Sequence, residues 1–310
     1  MNLYKGYIIN PESFWQPAYR ISPFNTSFIS KNYNIIDAGI SDNDLLKSFF
    51  GEQYIFCENG KHAIRLALEQ IGLERNDEVW VITTSGNKYI SSCVTNEIEK
   101  FCRWSRKKSS LTKLIFVNHE FGFCYNNLEE LKFHGLPIIE DRALSFLSID
   151  EKNQTGKIGD FVVYSLPKFF PINVGGVLQY NNPLFYNKVK NTGDEIQHYL
   201  SALLSHYLNE VDLIKDKRRN NYKYISELFN TLGFASRFVL SENEVPGVYM
   251  FTTTGIDLNK LKIFMQSNGI ESSVFYGEEA FFIPVHQELN KEDLDFFFHL
   301  ISYSLNYGNQ

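Results

Sequence analysis

Apolar and polar residues alternate along the chain in a way that predicts strands separated by helices from about residue 53 onward. Residues 63–71 carry apolar side chains at the spacing of a buried helix face, whereas the run EVWVIT at residues 78–83 is typical of a buried strand. Strands joined through helices form crossover connections, so the pattern predicts an α/β fold with a mostly parallel sheet covered on both faces. Further helices are predicted near 89–101 and 127–134, and further strands at 114–117, 136–140, 161–165 and 176–179.

The pattern changes near residue 195, where a long helix is predicted over residues 195–232. A strand at 247–253, a helix at 258–268, a strand at 280–285 and a final helix capped by Asn290 follow it. A chain of 310 residues suits two domains. We therefore predict a large domain over residues 1–200, and a connecting helix with a small α+β domain over residues 201–310.

Charge and composition narrow the function further. The formal net charge is −6 and 44 % of the residues are hydrophobic, so we expect large cores and no nucleic-acid partner. The basic cluster at residues 103–108 is interpreted as a solvated loop in preference to a phosphate site. Four cysteines without C-x-x-C spacing indicate reduced thiols. Neither a signal sequence nor a long apolar run is found, so we expect a cytoplasmic protein with no membrane span.

Three features fall where an α/β sheet would bring them together, at the carboxyl ends of its strands. The turn NGKH at residues 59–62 precedes the helix at 63–71, and a helix start of this kind binds anions. Glu-Asp at 140–141 ends an apolar strand, where a partly buried carboxylate would pair with a cation. Lys168 lies among apolar residues, which favour the neutral amine that attacks an aldehyde. The glycine pair 175–176 would let the backbone approach a ligand closely.

Each feature also has an ordinary structural interpretation. The 59–62 turn could be a plain helix cap, Asp141 could be a loop carboxylate paired with Arg142, and Lys168 could be a solvated charge. An anion-binding turn, an acid and a lysine in this chain order nevertheless form a more specific signal than any one of them.

With these residues the chain resembles the DegT/DnrJ/EryC1/StrS family of sugar aminotransferases, which use pyridoxal 5'-phosphate and have the fold type I architecture of the aspartate aminotransferase superfamily. The resemblance covers about residues 53–300 and is carried by the segments NGKHAIRLAL, IIEDRALS, GDFVVYSLPKFFPINVGG and IPVHQELNKEDLDFF. It implies that Lys168 holds the cofactor as a Schiff base, that Asp141 pairs with the ring nitrogen and that Tyr89 stacks on the ring. It also implies that the cofactor phosphate is bound by Gly60, Lys61, His62 and Ser165.

The chain departs from the family pattern at several positions. Leu144 stands where the family has glutamine or histidine, and Ser165 precedes the lysine by three residues where five are usual. Residues 173–176 read Asn-Val-Gly-Gly in place of Gly-Glu-Gly-Gly, and the segment 274–283 is short. No match is found to the Asn-Tyr-Arg segment that reaches the neighbouring subunit's site.

The resemblance implies transamination of a nucleotide-linked keto sugar, with glutamate as amino donor, in polysaccharide or other glycan biosynthesis by a homodimer. Two alternatives remain open: an enzyme with the same cofactor but another substrate or reaction, and a non-catalytic homologue serving as a regulator or partner subunit. The aromatic N-terminal segment is expected either to join the dimer interface or to pack on its own chain; it contains Phe14, Trp15, Tyr19 and Phe24.

Overall fold

A computed structural model describes residues 17–186 and 194–307, so Phe14 and Trp15 lie outside the described residues. The helices are α1 Phe28–Asp37, α2 Asn43–Phe50, α3 Gly60–Ile71, α4 Ser92–Ile98, α5 Leu128–Leu131, α6 Pro183–Tyr186, α7 Asp194–Asn209, α8 Val211–Asn230, α9 Leu258–Ser267 and α10 Lys291–Tyr307. The strands are β1 Tyr54–Cys57, β2 Glu78–Thr83, β3 Arg103–Ser105, β4 Thr112–Asn118, β5 Ile138–Asp141, β6 Phe161–Ser165, β7 Gly176–Tyr180, β8 Ala235–Ser236, β9 Val248–Thr252, β10 Ser273–Val274 and β11 Ala280–Pro284.

Seven strands form a large sheet in the order β1-β7-β6-β5-β4-β2-β3. All neighbouring pairs from β6 to β3 are parallel, whereas β7 runs antiparallel to both β6 and β1. The strands β5, β6 and β7 are buried along almost their whole length, as expected where helices cover both faces of a sheet. The predicted α/β fold with a mostly parallel sheet is confirmed, and the carboxyl ends of β4, β5 and β6 meet at one edge.

The four remaining strands form a small antiparallel sheet in the order β10-β11-β9-β8. Helix α8 connects the two cores, because Ile214 near its start packs under the large sheet while Ile225 and Phe229 pack against the small one. The domain boundary near residue 200 stays a prediction.

The predicted long helix over residues 195–232 is two helices. Glu210, between α7 and α8, has φ −97° and ψ 9°, and its N–H donates to the Tyr207 carbonyl at 3.1 Å. The side chain of Asn209 also bonds the backbone, donating to the Ser205 carbonyl at 3.0 Å. The break lets α7 pack against α1 and α2 while α8 crosses to the small sheet.

The basic cluster at 103–108 is solvated in part, as predicted: Arg103, Lys107 and Lys108 are exposed, whereas residues 103–105 form β3 and Arg106 is tied to the protein. The half-buried guanidinium of Arg106 donates to the Val81 carbonyl at 3.0 Å, to Thr83 Oγ1 at 2.8 Å and to the Asn87 carbonyl at 2.7 Å. Arg106 therefore ties the end of β2 to the following turn. The helix predicted near 89–101 is shorter in the structure, where α4 spans Ser92–Ile98.

Other predictions concern the cysteines, the last helix and the N-terminal segment. All four cysteines are free and only Cys93 is exposed. Asn290 Oδ1 accepts from the Asp293 N–H at 2.9 Å, which confirms the predicted cap. Tyr19 packs on α10, with its ring centroid 5.0 Å from that of Phe297. Within residues 17–186 and 194–307, no helix combines the length and apolarity needed to cross a bilayer.

Candidate active site

A cavity of about 240 Å³ lies at the carboxyl ends of β4, β5 and β6, beside the first turn of α3. Apolar residues form part of its wall, namely Ile64, Val94, Ala143, Leu144 and Val163. Five of the seven residues predicted for the site line the same cavity, namely Gly60, Lys61, Asp141, Ser165 and Lys168. The structure therefore brings the predicted turn, acid and lysine together.

The start of α3 forms an anion-binding turn. Asn59 caps the helix, its side chain accepting from the His62 N–H at 2.9 Å. Of the described residues, none accepts a hydrogen bond from the N–H of Gly60 or Lys61. A Cβ at Gly60 would lie 3.2 Å from the Cβ of Ser165, so a larger residue would press the turn away from β6. Two unpaired donors at the positive end of a helix dipole can bind a phosphate.

Asp141 ends β5, and its carboxylate is buried, with 4 % of the residue exposed. Oδ2 accepts from Asn118 Nδ2 at 3.0 Å, and Oδ1 accepts from the Ala143 N–H at 2.9 Å. Burial raises the pKa of Asp141, and these hydrogen bonds and the nearby His119 ring offset the burial only in part. No basic nitrogen of the described residues lies within 4.0 Å of the carboxylate. A cation in the cavity would therefore meet an unpaired buried acid.

Arg142 turns away from Asp141, which rules out the ordinary interpretation of the two residues as an ion pair. Its Nη2 donates to the carbonyls of Phe146 at 2.9 Å and Ser148 at 2.6 Å, and its Nη1 donates to the Tyr164 hydroxyl at 3.2 Å. The guanidinium thus organises the loop that follows β5.

The neighbouring carboxylate, Glu140, is satisfied inside the protein. It lies 3.2 Å from His119 Nε2 and accepts from three N–H groups of the 156–159 turn at 2.6–3.1 Å. His119 Nδ1 accepts from the Tyr125 N–H at 3.0 Å, so the ring donates to Glu140 through Nε2. Burial alone would raise the pKa of Glu140, but the His119 ring and the backbone donors outweigh it, and the pKa is lowered. The fold holds Glu140 ionised and leaves Asp141 for a partner in the cavity.

Lys168 ends a single 3₁₀ turn, residues 166–168, that follows β6. Its half-buried side chain lines the cavity together with Asp141. Of the residues with described positions, none forms a hydrogen bond or an ion pair with its Nζ. The turn is fixed by its backbone, since the Leu166 N–H donates to the Gly175 carbonyl at 3.1 Å. The amine of Lys168 and the carboxylate of Asp141, neither with an ion-pair partner among the described residues, therefore line one cavity.

Two of the predicted site residues do not line the cavity. The ring of Tyr89 packs against Phe275 and Tyr276, with centroids 5.7 and 6.2 Å apart. His62 lies on the first turn of α3, where its Nδ1 accepts from the Glu58 N–H at 3.4 Å. The cofactor-binding roles of Tyr89 and His62 stay predictions that these positions do not support.

The glycine pair serves the protein backbone, which corrects the expectation that it admits a ligand. A Cβ at Gly176 would lie 2.7 Å from the carbonyl carbon of Asn59 and 2.8 Å from the carbonyl oxygen of Tyr164. Gly175 has φ +108°, and its N–H donates to the Glu58 carbonyl at 2.7 Å. These close contacts bring β7 against the turn that begins α3.

Two polar residues that no sequence motif singled out, Asn118 and His119, also line the cavity. They follow the predicted strand 114–117, and Asn118 lies opposite Asp141 in the pairing of β4 with β5. The signal that could have found them is the rule that selected Asp141, because both follow a buried strand at the same sheet edge.

The strand order with the antiparallel β7 is an α/β fold of the fold type I architecture, and solved sugar aminotransferases share this fold. A DegT DnrJ EryC1 StrS aminotransferase from Brucella abortus is 16 % identical, with a TM-score of 0.70 over 89 % of this chain and 97 % of that chain. The sugar aminotransferase CalS13 from Micromonospora echinospora is 15 % identical, with a TM-score of 0.67 over 92 % and 98 %. The resemblance is confirmed at the level of the fold.

Comparison of sequences finds an additional relative. A curated relative, "Pleiotropic regulatory protein" from Geobacillus stearothermophilus, is 24 % identical over 285 residues, which cover 77 % of this chain and 74 % of the relative. No protein-family model matches the chain.

Proposed function

We propose that the chain is a pyridoxal 5'-phosphate-dependent aminotransferase of the DegT/DnrJ/EryC1/StrS family. One observation carries the proposal: an unpaired buried acid, an unpaired amine and unpaired helix-start donors line a single cavity. The cofactor has a matching group for each, namely a ring nitrogen, an aldehyde and a phosphate. The residues that would hold it are Gly60, Lys61, Asp141, Ser165 and Lys168.

Asp141 would keep the ring nitrogen protonated. A cation beside the carboxylate favours its ionised form, so pairing would lower the pKa of Asp141 that burial raises. Asn118 and the Ala143 N–H each hold one oxygen and so fix the plane of the carboxylate. When bound, the cofactor supplies an electron sink for the carbon that loses its proton.

Lys168 would bind the cofactor aldehyde through Nζ and, once an amino donor displaces it, would move the proton removed from the donor's Cα. The N–H groups of Gly60 and Lys61 would anchor the phosphate. Apolar side chains such as Leu144 and Val163 would reduce access of water to the reacting atoms.

The proposed reaction transfers an amino group between two substrates. The donor's Cα–NH2 becomes C=O and leaves as a keto acid, while the keto carbon of the acceptor becomes C–NH2. We propose glutamate as the donor and a nucleotide-linked keto sugar as the acceptor, because the family has this chemistry and a matched structure is a sugar aminotransferase. We further propose a cytoplasmic homodimer acting in polysaccharide or other glycan biosynthesis.

The second candidate function is that of a non-catalytic regulator, because the curated relative carries the name pleiotropic regulatory protein. The departures at Leu144 and at residues 173–176 are compatible with this candidate. The two functions differ in one measurable property, since only the enzyme requires a cofactor bound to Lys168.

Absorbance spectra of the wild type and of Lys168→Ala, each with added pyridoxal 5'-phosphate, test the proposal. We expect the wild type to show the visible band of a lysine-bound cofactor, and borohydride reduction with peptide mapping to locate the label on Lys168. The variant should show neither result. Lys157→Ala is the matched control, because Lys157 is exposed and its Nζ donates to Asn153 Oδ1 at 2.8 Å.

The amino-donor reaction separates transamination from other chemistry on the same fold. Glutamate added to the loaded wild type should remove the visible band, because an amino donor that reacts would release Lys168 from the cofactor aldehyde. A labelled enzyme that responds to no amino donor would contradict transamination. A wild type that never acquires the cofactor on Lys168 would favour the regulator.

A further inference from the structure

Arg218 lies in the middle of α8 with none of its surface exposed. Its guanidinium donates to three separate segments: Nη2 to the Lys168 carbonyl at 3.0 Å, Nη1 to the Pro246 carbonyl at 3.1 Å, and Nε to Gln287 Oε1 at 2.8 Å. Its plane also lies over the ring of Phe169, 4.2 Å from the centroid. Arg218 thus contacts the turn that carries the proposed cofactor lysine.

This guanidinium is buried without a counter-ion. Within the described parts of the chain, no carboxylate oxygen lies within 4.0 Å of it. Burial lowers the pKa of Arg218 to about 9, although the charge of Glu288 opposes this shift. A buried charge held only by neutral oxygens is unfavourable compared with an apolar side chain of similar size. Packing alone therefore does not explain an arginine at this position.

Arg218 Nη2 also donates to the Phe169 carbonyl at 3.4 Å, and the acceptors of Arg218 come from segments next to both sheets. Lys168 follows β6 of the large sheet, whereas Pro246 precedes β9 and Gln287 follows β11 of the small sheet. Gln287 Nε2 donates in addition to the Phe169 carbonyl at 2.9 Å. The carbonyls of Lys168 and Phe169 are therefore bonded to Arg218 of α8 and to Gln287, which follows β11 of the small sheet.

We propose that Arg218 is a positioning residue, which fixes the backbone turn of Lys168 so that the lysine side chain enters the cavity and which makes this placement depend on the docking of the small sheet. The inference rests on the proposed function of Lys168. It does not require Arg218 to touch the cofactor or the substrate.

Hydrogen exchange of the cofactor-free protein tests the positioning directly. In Arg218→Met, the peptide covering residues 165–171 is expected to exchange about 10- to 100-fold faster, the effect of losing a hydrogen bond to a charged group. The matched control is Arg219→Met, because the Arg219 guanidinium donates to the carbonyls of Ser241 and Glu244 and not to the lysine turn. The control should leave exchange of 165–171 within about twofold of the wild type.

The rate at which pyridoxal 5'-phosphate becomes trapped on Lys168 by borohydride is the second readout. We expect Arg218→Met to slow trapping by about 10- to 100-fold, because small displacements of a reacting group have effects of this size. If Arg218→Met does not fold, Gln287→Met replaces it. This variant keeps Arg218 but removes the acceptor of its Nε–H and the donor to the Phe169 carbonyl. It should also speed exchange of residues 165–171 and slow trapping, each by a smaller factor than Arg218→Met.

The outcomes separate the inference from the proposed function. Faster local exchange with slower trapping, both absent in Arg219→Met, supports the positioning role. Unchanged exchange of 165–171 in a folded Arg218→Met or Gln287→Met protein overturns it. A wild type that is never trapped on Lys168 contradicts the proposed function, and the exchange data still decide whether Arg218 holds the turn.

Discussion

The adjacent carboxylates Glu140 and Asp141 are expected to affect the stability of the cofactor-free protein with opposite signs. Both are buried at the end of β5, yet the pKa of Glu140 is lowered and that of Asp141 is raised. A raised pKa means that the folded state loses stability as the pH rises above the ordinary value of 3.8, because ionisation is harder in the folded state. The lowered pKa of Glu140 has the reverse effect. Its contribution to the stability of the folded state is present in full above the ordinary value of 4.5 and is lost as the pH falls through the folded-state pKa.

Asp141→Asn removes the unfavourable charge and keeps the volume of the side chain. The Ala143 N–H can still donate to the amide oxygen, and Asn118 can turn its own amide to accept. No hydrogen-bond partner is therefore lost. We expect the variant to stabilise the cofactor-free protein at pH 8 by about 1–3 kcal/mol, the range for relieving an unfavourably buried polar group.

Glu140→Gln is the matched variant on the next residue. The exchange replaces one acceptor oxygen by an amide donor, which must then face His119 or N–H groups of the 156–159 turn. Breaking a buried pair and leaving donors unpaired should destabilise the protein by about 2–5 kcal/mol at pH 8. The two exchanges have the same chemistry and lie at neighbouring positions, so only the local environment separates their effects.

Thermal unfolding of the cofactor-free proteins measures the difference. At pH 8 the expected order of Tm is Asp141→Asn, then wild type, then Glu140→Gln, and the gap between the first two should narrow as the pH approaches 4. Added pyridoxal 5'-phosphate should reverse the first two, because only the wild-type acid can pair with a cationic ring nitrogen. If Asp141→Asn unfolds below the wild type at pH 8 without cofactor, burial does not outweigh the hydrogen bonds of Asp141 and the reasoning is refuted.

Two further predictions concern the walls of the site. Gly176→Ala should weaken binding of pyridoxal 5'-phosphate by about tenfold or more in an absorbance titration, because the added Cβ would press on backbone atoms of Asn59 and Tyr164 and displace the start of α3; unchanged affinity would contradict the close contact. Asn118→Val should raise the pKa of Asp141 further, weaken cofactor binding by about tenfold and lower the Tm of the cofactor-free protein at pH 8, because the buried carboxylate loses a donor. An affinity equal to that of the wild type would show that the Asn118 donor does not matter.

The longer buried strands were the most predictable part of the fold, whereas the short strands β3, β8 and β10 were not predicted. The run at 161–165 coincides with β6 because a strand covered on both faces must be apolar throughout, and that requirement is visible locally. The run at 78–83 coincides with β2, whose residues alternate between half-buried and buried. The break at Glu210 was not predictable in this way. Its cause is tertiary, since α7 packs beside α1 and α2 while α8 must reach the small sheet.

The candidate site also contains residues that were predictable from the sequence and residues that were not. The meeting of Asp141 and Lys168 at one cavity was predictable, because each lies at the end of a buried strand and the ends of parallel strands meet. Gly176 and Arg218 acquire their roles from elements distant in sequence, namely the turn at Asn59 and the small sheet. In the sequence, Arg218 is one of several basic residues at 215–219, and nothing in that run distinguishes the buried member.

The contrast at the end of β5 also bears on the choice between enzyme and regulator. Neighbouring side chains of a strand point to opposite sides, so Glu140 meets the donors of the 156–159 turn while Asp141 meets the cavity. In a protein that never binds a cation there, the Asp141 carboxylate would lower stability at neutral pH, because its hydrogen bonds and the His119 ring offset its burial only in part. In an enzyme the bound cofactor supplies the missing cation, and the same acid becomes favourable. The unpaired state of Asp141 is therefore better explained by a cofactor-dependent enzyme than by a cofactor-free regulator.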